Sequence, residues 1–263
     1  MPSDRADLAP PDLFRVLSDP GRWALLAELA TGDRRVGELV AAVDRPQNLV
    51  SYHLAELRRA GLVGSRRSSA DGRDTYYRVD LAGCRDLLAE SGRSLHPGLR
   101  LSPAPPGGGA VGRARRPVVL FLCTGNSARS QMAEALLERR SEGAVRARSA
   151  GSHPKPLHPN AVAVMAERDI DIAGRPTKHL SRFARTRFDR VITLCDKVRE
   201  ICPEFPGPAP TAHWSMPDPA AAGSSDVETY RAFVRTADEL EDRIGFLIAD
   251  LASQPDRRRT RAH

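Results

Sequence analysis

The sequence lacks an apolar run long enough to cross a membrane. Its longest such runs, Val118–Cys123 and Ile244–Ala249, fall far short of the roughly 20 residues that a spanning helix requires. The first ten residues carry acids and prolines where a secretion signal has a basic start and an apolar stretch. These absences predict a cytoplasmic protein without a membrane segment.

The chain also contains little cysteine. Four cysteines occur in 263 residues, at positions 84, 123, 195 and 202. In a cytoplasmic chain, so few thiols favour redox or metal chemistry over a framework of structural disulfides. The length allows two modest domains, and no internal repeat is found.

The net charge of +7 is unevenly distributed along the chain. Residues 1–100 carry 15 arginines against 14 acidic residues, whereas residues 101–263 carry 25 basic against 19 acidic residues. Part of that excess lies in the basic tail, residues 253–263, which is typical of a solvated chain end. Global charge therefore does not establish nucleic-acid binding, and the local cluster of six arginines over Arg58–Arg78 is more informative.

A segment rich in proline, glycine and arginine divides the chain. Residues 96–116 show no apolar periodicity, and a segment of that composition cannot bury enough surface to order itself. We interpret it as a flexible linker between residues 1–95 and residues 117–252, which precede the basic tail at 253–263.

Before the linker, short helices precede a basic hairpin. Apolar periodicity predicts helices over Leu13–Leu17, Trp23–Ala30, Val36–Val43 and Gln47–Ala60. Two alternating segments, 62–66 and 75–79, flank an Asp-Gly pair, which is a strong hairpin signal. This order of elements predicts a mainly α winged helix-turn-helix DNA-binding domain.

After the linker, strands alternate with helices. Val118–Cys123 is a continuous apolar run, typical of a strand buried on both faces of a parallel sheet. Further strands are predicted at 145–149 and 190–195, with helices at 130–140, 160–167 and 226–251. This pattern predicts an α/β domain with a doubly wound parallel sheet, whose site lies at the carboxyl ends of the strands.

The loop that follows the first of these strands carries the strongest chemical signal. A cysteine ends the strand, five residues intervene, and Arg129 and Ser130 open a helix. Backbone N–H groups in such a loop point at an oxyanion, and Arg129 can bind two of its oxygens. The same positive field favours the nucleophilic thiolate of Cys123, to which Ser130 can donate a hydrogen bond. The predicted oxyanion-binding residues are Thr124, Gly125, Asn126, Ser127, Ala128 and Arg129, with Asn126 holding the shape of the loop.

Two further cysteines bear on the type of reaction. Cys195 ends a predicted strand, so we expect it at the same sheet edge as Cys123. Cys202 follows seven residues later, and the segment between them can partly unwind to let these two thiols pair. A hydrolase needs neither thiol, whereas a reductase needs somewhere to place two electrons. The alternative is that Cys195 packs a strand end and Cys202 is an ordinary loop residue.

These motifs resemble the low molecular weight protein tyrosine phosphatase fold and the arsenate reductases built on it. The resemblance covers about residues 117–252 and rests on CTGNSARSQMAE at 123–134, SAG at 149–151 and TLC at 193–195. It implies that Asp218, before Pro219, is the general acid, although an acid before proline is also common in ordinary turns. Phosphatases of this fold typically follow that Asp-Pro with paired tyrosines, whereas alanines follow here.

The arrangement of the cysteines is similar to that of the thioredoxin-coupled, glutathione-independent arsenate reductases. The resemblance implies that Cys123 attacks arsenate, Cys195 attacks Cys123, and Cys202 attacks Cys195. Thioredoxin, or a mycothiol or mycoredoxin system, then reduces the final disulfide. No organic cofactor or metal is implied as necessary.

Some relatives bind potassium beside the catalytic loop. The residues that match its ligands here are Asn126, Glu134 and Ser149, while Lys178 stands at the position of a fourth, acidic ligand. The resemblance therefore implies that the ammonium of Lys178 replaces the ion, and we predict no metal.

Residues 12–80 resemble the ArsR-type repressors through VSYHLAELRRAGLV at 50–63 and the hairpin that follows. The resemblance implies a homodimer, formed through this domain, whose helix after Pro46 enters the major groove of a double-stranded DNA operator. The implied contacts are Gln47, Asn48, Ser51, Tyr52 and His53 from the helix and Arg66, Arg67 and Arg73 from the wing. Arsenic sensors of that family usually carry a cysteine pair or trio before this helix, but residues 35–44 contain no cysteine. Cys84 stands alone and is expected to pack.

The combined prediction is a bifunctional arsenic-resistance protein, with a DNA-binding regulator joined to an arsenate reductase. One alternative is a tyrosine or small-molecule phosphatase joined to a regulator, for which Cys195 and Cys202 are incidental. The other is a transcription factor whose α/β domain only binds an oxyanion or senses redox state.

Overall fold

The structure, a computed structural model, describes residues 12–70, 72–96, 116–206 and 209–253. The chain forms two compact units. Most of the predicted linker at 96–116 and of the basic tail at 253–263 lies outside the described residues, as does Asp71 of the predicted hairpin turn. Among the described residues, no helix combines the length and hydropathy that a membrane span requires.

The first unit is a small helical domain with a three-stranded sheet. Its elements are α1 (Asp12–Leu17), α2 (Pro20–Thr31), β1 (Arg34–Arg35), α3 (Val36–Val43), α4 (Gln47–Arg59), β2 (Val63–Arg67), β3 (Thr75–Val79) and α5 (Leu81–Leu95). Helix α2 begins three residues before the predicted Trp23. Asp19 caps it by accepting a hydrogen bond from the Arg22 backbone N–H at 3.0 Å, and Pro20 occupies the first helical position.

The predicted hairpin is present as the antiparallel pair β2–β3. Val63 pairs with Val79 and Arg67 with Thr75, and β3 also pairs with the short strand β1. Gly61 ends the turn after α4 at a φ of +73°, a conformation that glycine adopts without strain. Leucines from α2, α3 and α4 form the core under the hairpin, among them Leu25, Leu39 and Leu57.

The second unit is an α/β domain. Its elements are β4 (Val118–Cys123), α6 (Arg129–Arg140), β5 (Arg146–Gly151), α7 (Pro159–Ala166), a 3₁₀ turn (Leu180–Phe183), β6 (Arg190–Thr193), α8 (Asp196–Glu200), β7 (Thr211–His213), a second 3₁₀ turn (Pro219–Ala221) and α9 (Asp226–Ser253). Strand β7, which has only three residues, was not predicted from the sequence.

Within the described residues, the sheet of this unit has the order β5-β4-β6-β7, with every pair parallel. Strand β4 is central, and its residues 119–122 are fully buried, as its unbroken apolar run predicts. After β4 the chain forms β5 on one side of it and then crosses to form β6 on the other side. The strand order therefore reverses at the carboxyl end of β4. The predicted fold class is confirmed.

Candidate active site

Cys123 is the last residue of β4, at the point where the strand order reverses. Its side chain is buried, and its Sγ lies 2.9 Å from Ser130 Oγ. The backbone N–H of Asn126 also donates a hydrogen bond to this sulfur at 3.2 Å. A thiolate here therefore has two hydrogen-bond donors within reach, at the N-terminus of α6, where the helix dipole favours negative charge.

Asn126 fixes the shape of the catalytic loop. It adopts a left-handed φ of +47°, which asparagine tolerates better than most residues. Its Nδ2 donates to Ser130 Oγ at 2.9 Å and to Ser149 Oγ at 2.8 Å. Its Oδ1 accepts a hydrogen bond from the backbone N–H of Lys178 at 2.7 Å. These contacts join the loop to α6, to β5 and to the segment before the 3₁₀ turn.

The segment after β5 wraps the outer side of the same loop. The backbone N–H groups of His153, Lys155 and His158 donate to the carbonyls of Thr124, Gly125 and Ser127, at 2.8, 2.9 and 2.9 Å. We call residues 153–158 the collar. Sequence reasoning missed the collar because backbone donors leave no residue-type signal. These hydrogen bonds direct the loop carbonyls towards the outer side of the loop. This direction is consistent with loop N–H groups that point inward.

Gly151 explains why β5 ends in SAG. A Cβ at this position would lie 2.6 Å from the Thr124 carbonyl oxygen and 2.7 Å from the Asn126 nitrogen. Both atoms belong to the backbone of the catalytic loop, so no side-chain rotation relieves the overlap. Glycine is therefore required for the loop to pack against β5.

Arg129 and Asp218 come together across the site. The Arg129 side chain is buried, and its Nη1 donates to the Met216 carbonyl at 2.9 Å. Its Nη2 lies 3.4 Å from Asp218 Oδ1, and the Asp218 side chain is about half exposed. The loop that carries Asp218, here called the acid loop, is thus held beside the Arg129 guanidinium, which is predicted to bind the oxyanion.

The second predicted thiol, Cys195, lies beside the catalytic loop. Its side chain is buried directly after β6, and its Sγ lies 3.2 Å from Thr124 Oγ1. Burial raises the pKa of the Cys195 thiol, and the nearby Arg129 opposes this shift. The expectation that Cys195 lies at the same sheet edge as Cys123 agrees with this geometry.

The third thiol, Cys202, follows α8 and is half-buried. Burial raises its pKa to about 11. Helix α8 separates it from Cys195, and all four cysteines are free thiols in this structure. A disulfide between Cys195 and Cys202 would bridge the two ends of α8.

A buried ion pair lies behind the catalytic loop. Lys178 Nζ is 2.9 Å from Glu134 Oε2, and both side chains are largely buried. Ser149 donates a hydrogen bond to the same carboxylate oxygen. An ammonium already neutralises the carboxylate that a potassium ion would need as a ligand, so these residues do not fit such an ion.

Most of the predicted DNA contacts are exposed. Gln47, Asn48, Ser51 and Tyr52 lie on the outer face of α4, Arg67 and Arg73 are exposed on the wing, and Arg66 is half-buried. His53 differs, because it is only 7% exposed and its Nε2 lies 3.8 Å from Asp19 Oδ1. Its position one residue after Tyr52 rotates it to the inner face of the helix, so it does not share the exposed face of the other predicted contacts.

Cys84 packs as expected. It is half-buried on α5 against the core of the first unit, and burial raises its pKa to about 11. Together with leucines and Trp23 it lines an apolar cavity of about 250 Å³.

Comparison with known proteins assigns both units. Residues 118–257 match the model of the low molecular weight phosphotyrosine protein phosphatases. The chain belongs to this family. Residues 19–65 match the model of the arsR family of bacterial regulatory proteins, so the first unit is an ArsR-type helix-turn-helix domain.

The curated relatives of this phosphatase-family chain include proteins named arsenate reductase. The one from Halalkalibacterium halodurans is 38% identical over 127 residues, which are 48% of this chain and 91% of that protein. The one from Bacillus subtilis is 36% identical over 127 residues, with the same coverage. A solved structure of an arsenate reductase in its oxidized state is 29% identical, covers 51% of this chain and 98% of its own, and gives a TM-score of 0.45.

Proposed function

We propose that residues 117–252 of this chain form a domain that reduces arsenate to arsenite. The observation that carries the proposal is the position of a second thiol beside the catalytic loop, with Cys195 Sγ 3.2 Å from Thr124 Oγ1. Opening of α8 would bring a third thiol, that of Cys202, within reach of Cys195. The similarity to proteins named arsenate reductase supports the same conclusion.

The first step uses the loop residues. The Cys123 thiolate attacks arsenic while the loop N–H groups, from Thr124 to Arg129, and the Arg129 guanidinium hold the arsenate oxygens. Asp218 protonates the departing oxygen, which leaves as water. The product is a covalent bond between Cys123 Sγ and As(V). Ser130, 2.9 Å from Cys123 Sγ, stabilises the thiolate before the attack and after its release.

Two thiol exchanges complete the reduction. The Cys195 thiolate attacks Cys123 Sγ, so a disulfide forms and the sulfur–arsenic bond breaks with its electron pair on arsenic, which leaves as arsenite. Cys202 then attacks Cys195, forming the Cys195–Cys202 disulfide and releasing the Cys123 thiolate. An external dithiol supplies two electrons and two protons to restore both thiols. We propose thioredoxin for this role, with a mycothiol or mycoredoxin system as the other candidate.

A phosphatase of this fold would use Cys123, Arg129 and Asp218 alike. Two features favour the reductase. Cys195 and Cys202 have no role in hydrolysis, and the acid loop continues with Ala220 and Ala221 instead of the paired tyrosines typical of the phosphatases. Alanines at these two positions have no ring that could stack on a phosphotyrosine.

We further propose that residues 1–95 regulate transcription by binding a double-stranded operator. Helix α4 is expected to enter the major groove with Gln47, Asn48, Ser51 and Tyr52, and the wing to reach phosphates with its arginines at 66, 67 and 73. The supporting observation is that the helix residues in this set are all exposed on one face of α4. Residues 96–116 would join the two domains as a linker, and residues 253–263 would form a basic tail.

The same domain is proposed to form a homodimer. Large apolar side chains are exposed on α1, α2 and α5, namely Phe14, Trp23, Leu88 and Leu95. Trp23 and Leu95 are each about 60% exposed, and contact with a second copy of the domain would remove them from water. Because the proposed mechanism needs free thiols and the proposed partner is an operator, we propose that the protein acts in the cytoplasm.

The proposal is tested by a single turnover without any external reductant. Fully reduced protein is mixed with arsenate, and arsenite is separated and quantified. We expect about one arsenite per chain for the wild type and none for Cys123→Ser or Cys195→Ser. If the protein instead hydrolyses an aryl phosphate and yields no arsenite, the phosphatase alternative is correct.

A further inference from the structure

A buried polar cluster adjoins Cys195 and has no part in the steps proposed above. It consists of Asp196, the first residue of α8, together with Thr193, His213 and Ser215. Each of these side chains is at most 2% exposed. Burying so many polar groups costs free energy unless they form hydrogen bonds with one another. The cluster therefore indicates a structural or mechanistic role.

Asp196 is the centre of the cluster. Its Oδ1 accepts a hydrogen bond from Ser215 Oγ at 2.7 Å and lies 3.1 Å from His213 Nε2. The other ring nitrogen, His213 Nδ1, lies 3.1 Å from the Thr193 carbonyl oxygen and 2.8 Å from the Thr193 hydroxyl. The Asp196 carboxylate only accepts hydrogen bonds, so His213 Nε2 donates to it. His213 Nδ1 lies within hydrogen-bond distance of both Thr193 groups, so the ring is held between Asp196 and the end of β6.

The cluster ties the first turn of α8 to the sheet. Thr193 ends β6 and His213 ends β7, and these two residues are partners in the parallel pair β6–β7. Asp196 is thereby fixed to two strands, directly after Cys195. Towards the far end of α8, Lys197, Glu200 and Ile201 are exposed, and Val198 is buried between them.

The chemistry requires one end of this segment to move. A disulfide needs Cα atoms within about 7 Å, whereas residues seven apart in a helix are separated by about 10 Å. All five residues of α8 lie between the two cysteines, so we expect the helix to open before Cys202 reaches Cys195. Cys195, in contrast, has to stay beside Cys123 for the first exchange.

We propose that Asp196, held by His213 and Ser215, is an anchor that keeps Cys195 beside the catalytic loop while the Cys202 end of α8 opens. The inference rests on the proposed thiol cascade. Asp196, His213 and Ser215 are positioning residues in this account, because they act on the reaction through Cys195. The anchor raises the effective concentration of Cys195 at Cys123. It also keeps Cys195 in place, so that Cys202 is the thiol that moves in the last exchange.

The test measures that effective concentration directly, in a Cys202→Ser background. The Cys123–Cys195 disulfide is equilibrated with mixtures of reduced and oxidised dithiothreitol, and its fraction is read by alkylation and mass spectrometry. We expect Asp196→Ala to lower the effective concentration about tenfold or more, and Asp196→Asn, which keeps the acceptor oxygen but loses the charge, to lower it less. Ser215→Ala, which removes a single hydrogen bond, should shift it in the same direction.

Glu200→Ala is the matched control, because it changes an exposed acid at the other end of α8. The rate of Cys123 alkylation in each reduced variant reports whether the catalytic loop is intact. An effective concentration that Asp196→Ala and Ser215→Ala leave unchanged, with Cys123 alkylation at the wild-type rate, overturns the anchor. Loss of normal Cys123 alkylation in both variants also overturns it, because the cluster then supports the whole site and not Cys195 alone.

The measurement uses no arsenate, so it separates the anchor from the proposed function. A chain that produces no arsenite but still shows the predicted loss of effective concentration refutes the reductase and not the anchor. With all three cysteines present, Asp196→Ala is expected to lower kcat for arsenate without changing KM, because the loop that binds the oxyanion is untouched.

Discussion

At the level of single residues, the catalytic loop depends on groups that never touch the reacting atoms. Asn126 connects the loop to three neighbouring segments through its side-chain amide, and Gly151 lets the loop lie against β5. Such positioning matters because the attacking sulfur and the oxyanion donors have to be held in a fixed geometry.

Gly151→Ala should abolish most activity without unfolding the domain. Its Cβ would overlap with the Thr124 carbonyl and the Asn126 nitrogen, which forces the loop away from its position. We expect arsenate reduction to fall about a hundredfold, since shifts of about 1 Å have that effect. Gly174→Ala is the control, because nothing lies near its Cβ. Equal activity of the two variants would contradict this account of the loop.

Lys178→Met should destabilise the second unit. The substitution leaves the largely buried Glu134 carboxylate without its cation, at a cost of about 3 kcal/mol in the free energy of unfolding. Urea unfolding measures this loss, and the double variant Lys178→Met with Glu134→Gln should recover most of it. Exchange of potassium for sodium should leave wild-type activity unchanged. A rate that depends on potassium would show that the ammonium does not replace the ion.

At the level of elements, α8 is the part of the domain that has to rearrange. It spans five residues, and helices this short gain their stability from tertiary contacts and not from helix formation itself. In α8 the buried positions are Asp196 and Val198, while Lys197 and Glu200 are exposed. The helix is therefore suited to open from its Cys202 end during the last thiol exchange.

The reactivity of Cys202 should report whether α8 is closed. Burial raises its pKa to about 11, so its thiolate fraction continues to increase above pH 9. In the reduced, folded protein, alkylation of Cys202 should accelerate about tenfold per pH unit up to about pH 10. In urea the rate should level off near the ordinary thiol pKa of about 8.5. A plateau near pH 8.5 in the folded protein would mean that α8 is already open.

At the level of the whole molecule, the features predicted from the sequence are mostly those that depend on one continuous segment. Features that depend on contacts between distant segments were mostly missed. The strand β4, the loop after it and α6 follow from apolar runs and from a motif contained within eight residues. The collar and the inward rotation of His53 depend on contacts between distant segments, and β7 is too short to show periodicity. The anchor was missed for the same reason, since Asp196 is 17 residues from His213 in the chain and meets it only through the pairing of β6 with β7.

DNA binding by the first unit should depend on the wing arginines through charge. Each phosphate contact contributes a slope of about 0.9 to the dependence of log affinity on log salt. The double variant Arg67→Ala and Arg73→Ala should therefore weaken binding to a labelled duplex from the region upstream of the coding sequence, and lower that slope by about two. The control removes two exposed arginines from α9, Arg231→Ala and Arg235→Ala. If both double variants weaken binding equally, the wing arginines contribute only nonspecific charge.

The central claim is that three thiols act in series on arsenate. The most direct measurement is arsenate-dependent NADPH oxidation with thioredoxin and thioredoxin reductase, comparing the wild type with Cys123→Ser, Cys195→Ser and Cys202→Ser. The account predicts steady turnover in the wild type and its loss in each of the three variants, with Cys84→Ser unaffected. Turnover that persists without Cys195 or Cys202, or NADPH oxidation that does not respond to arsenate, would contradict it.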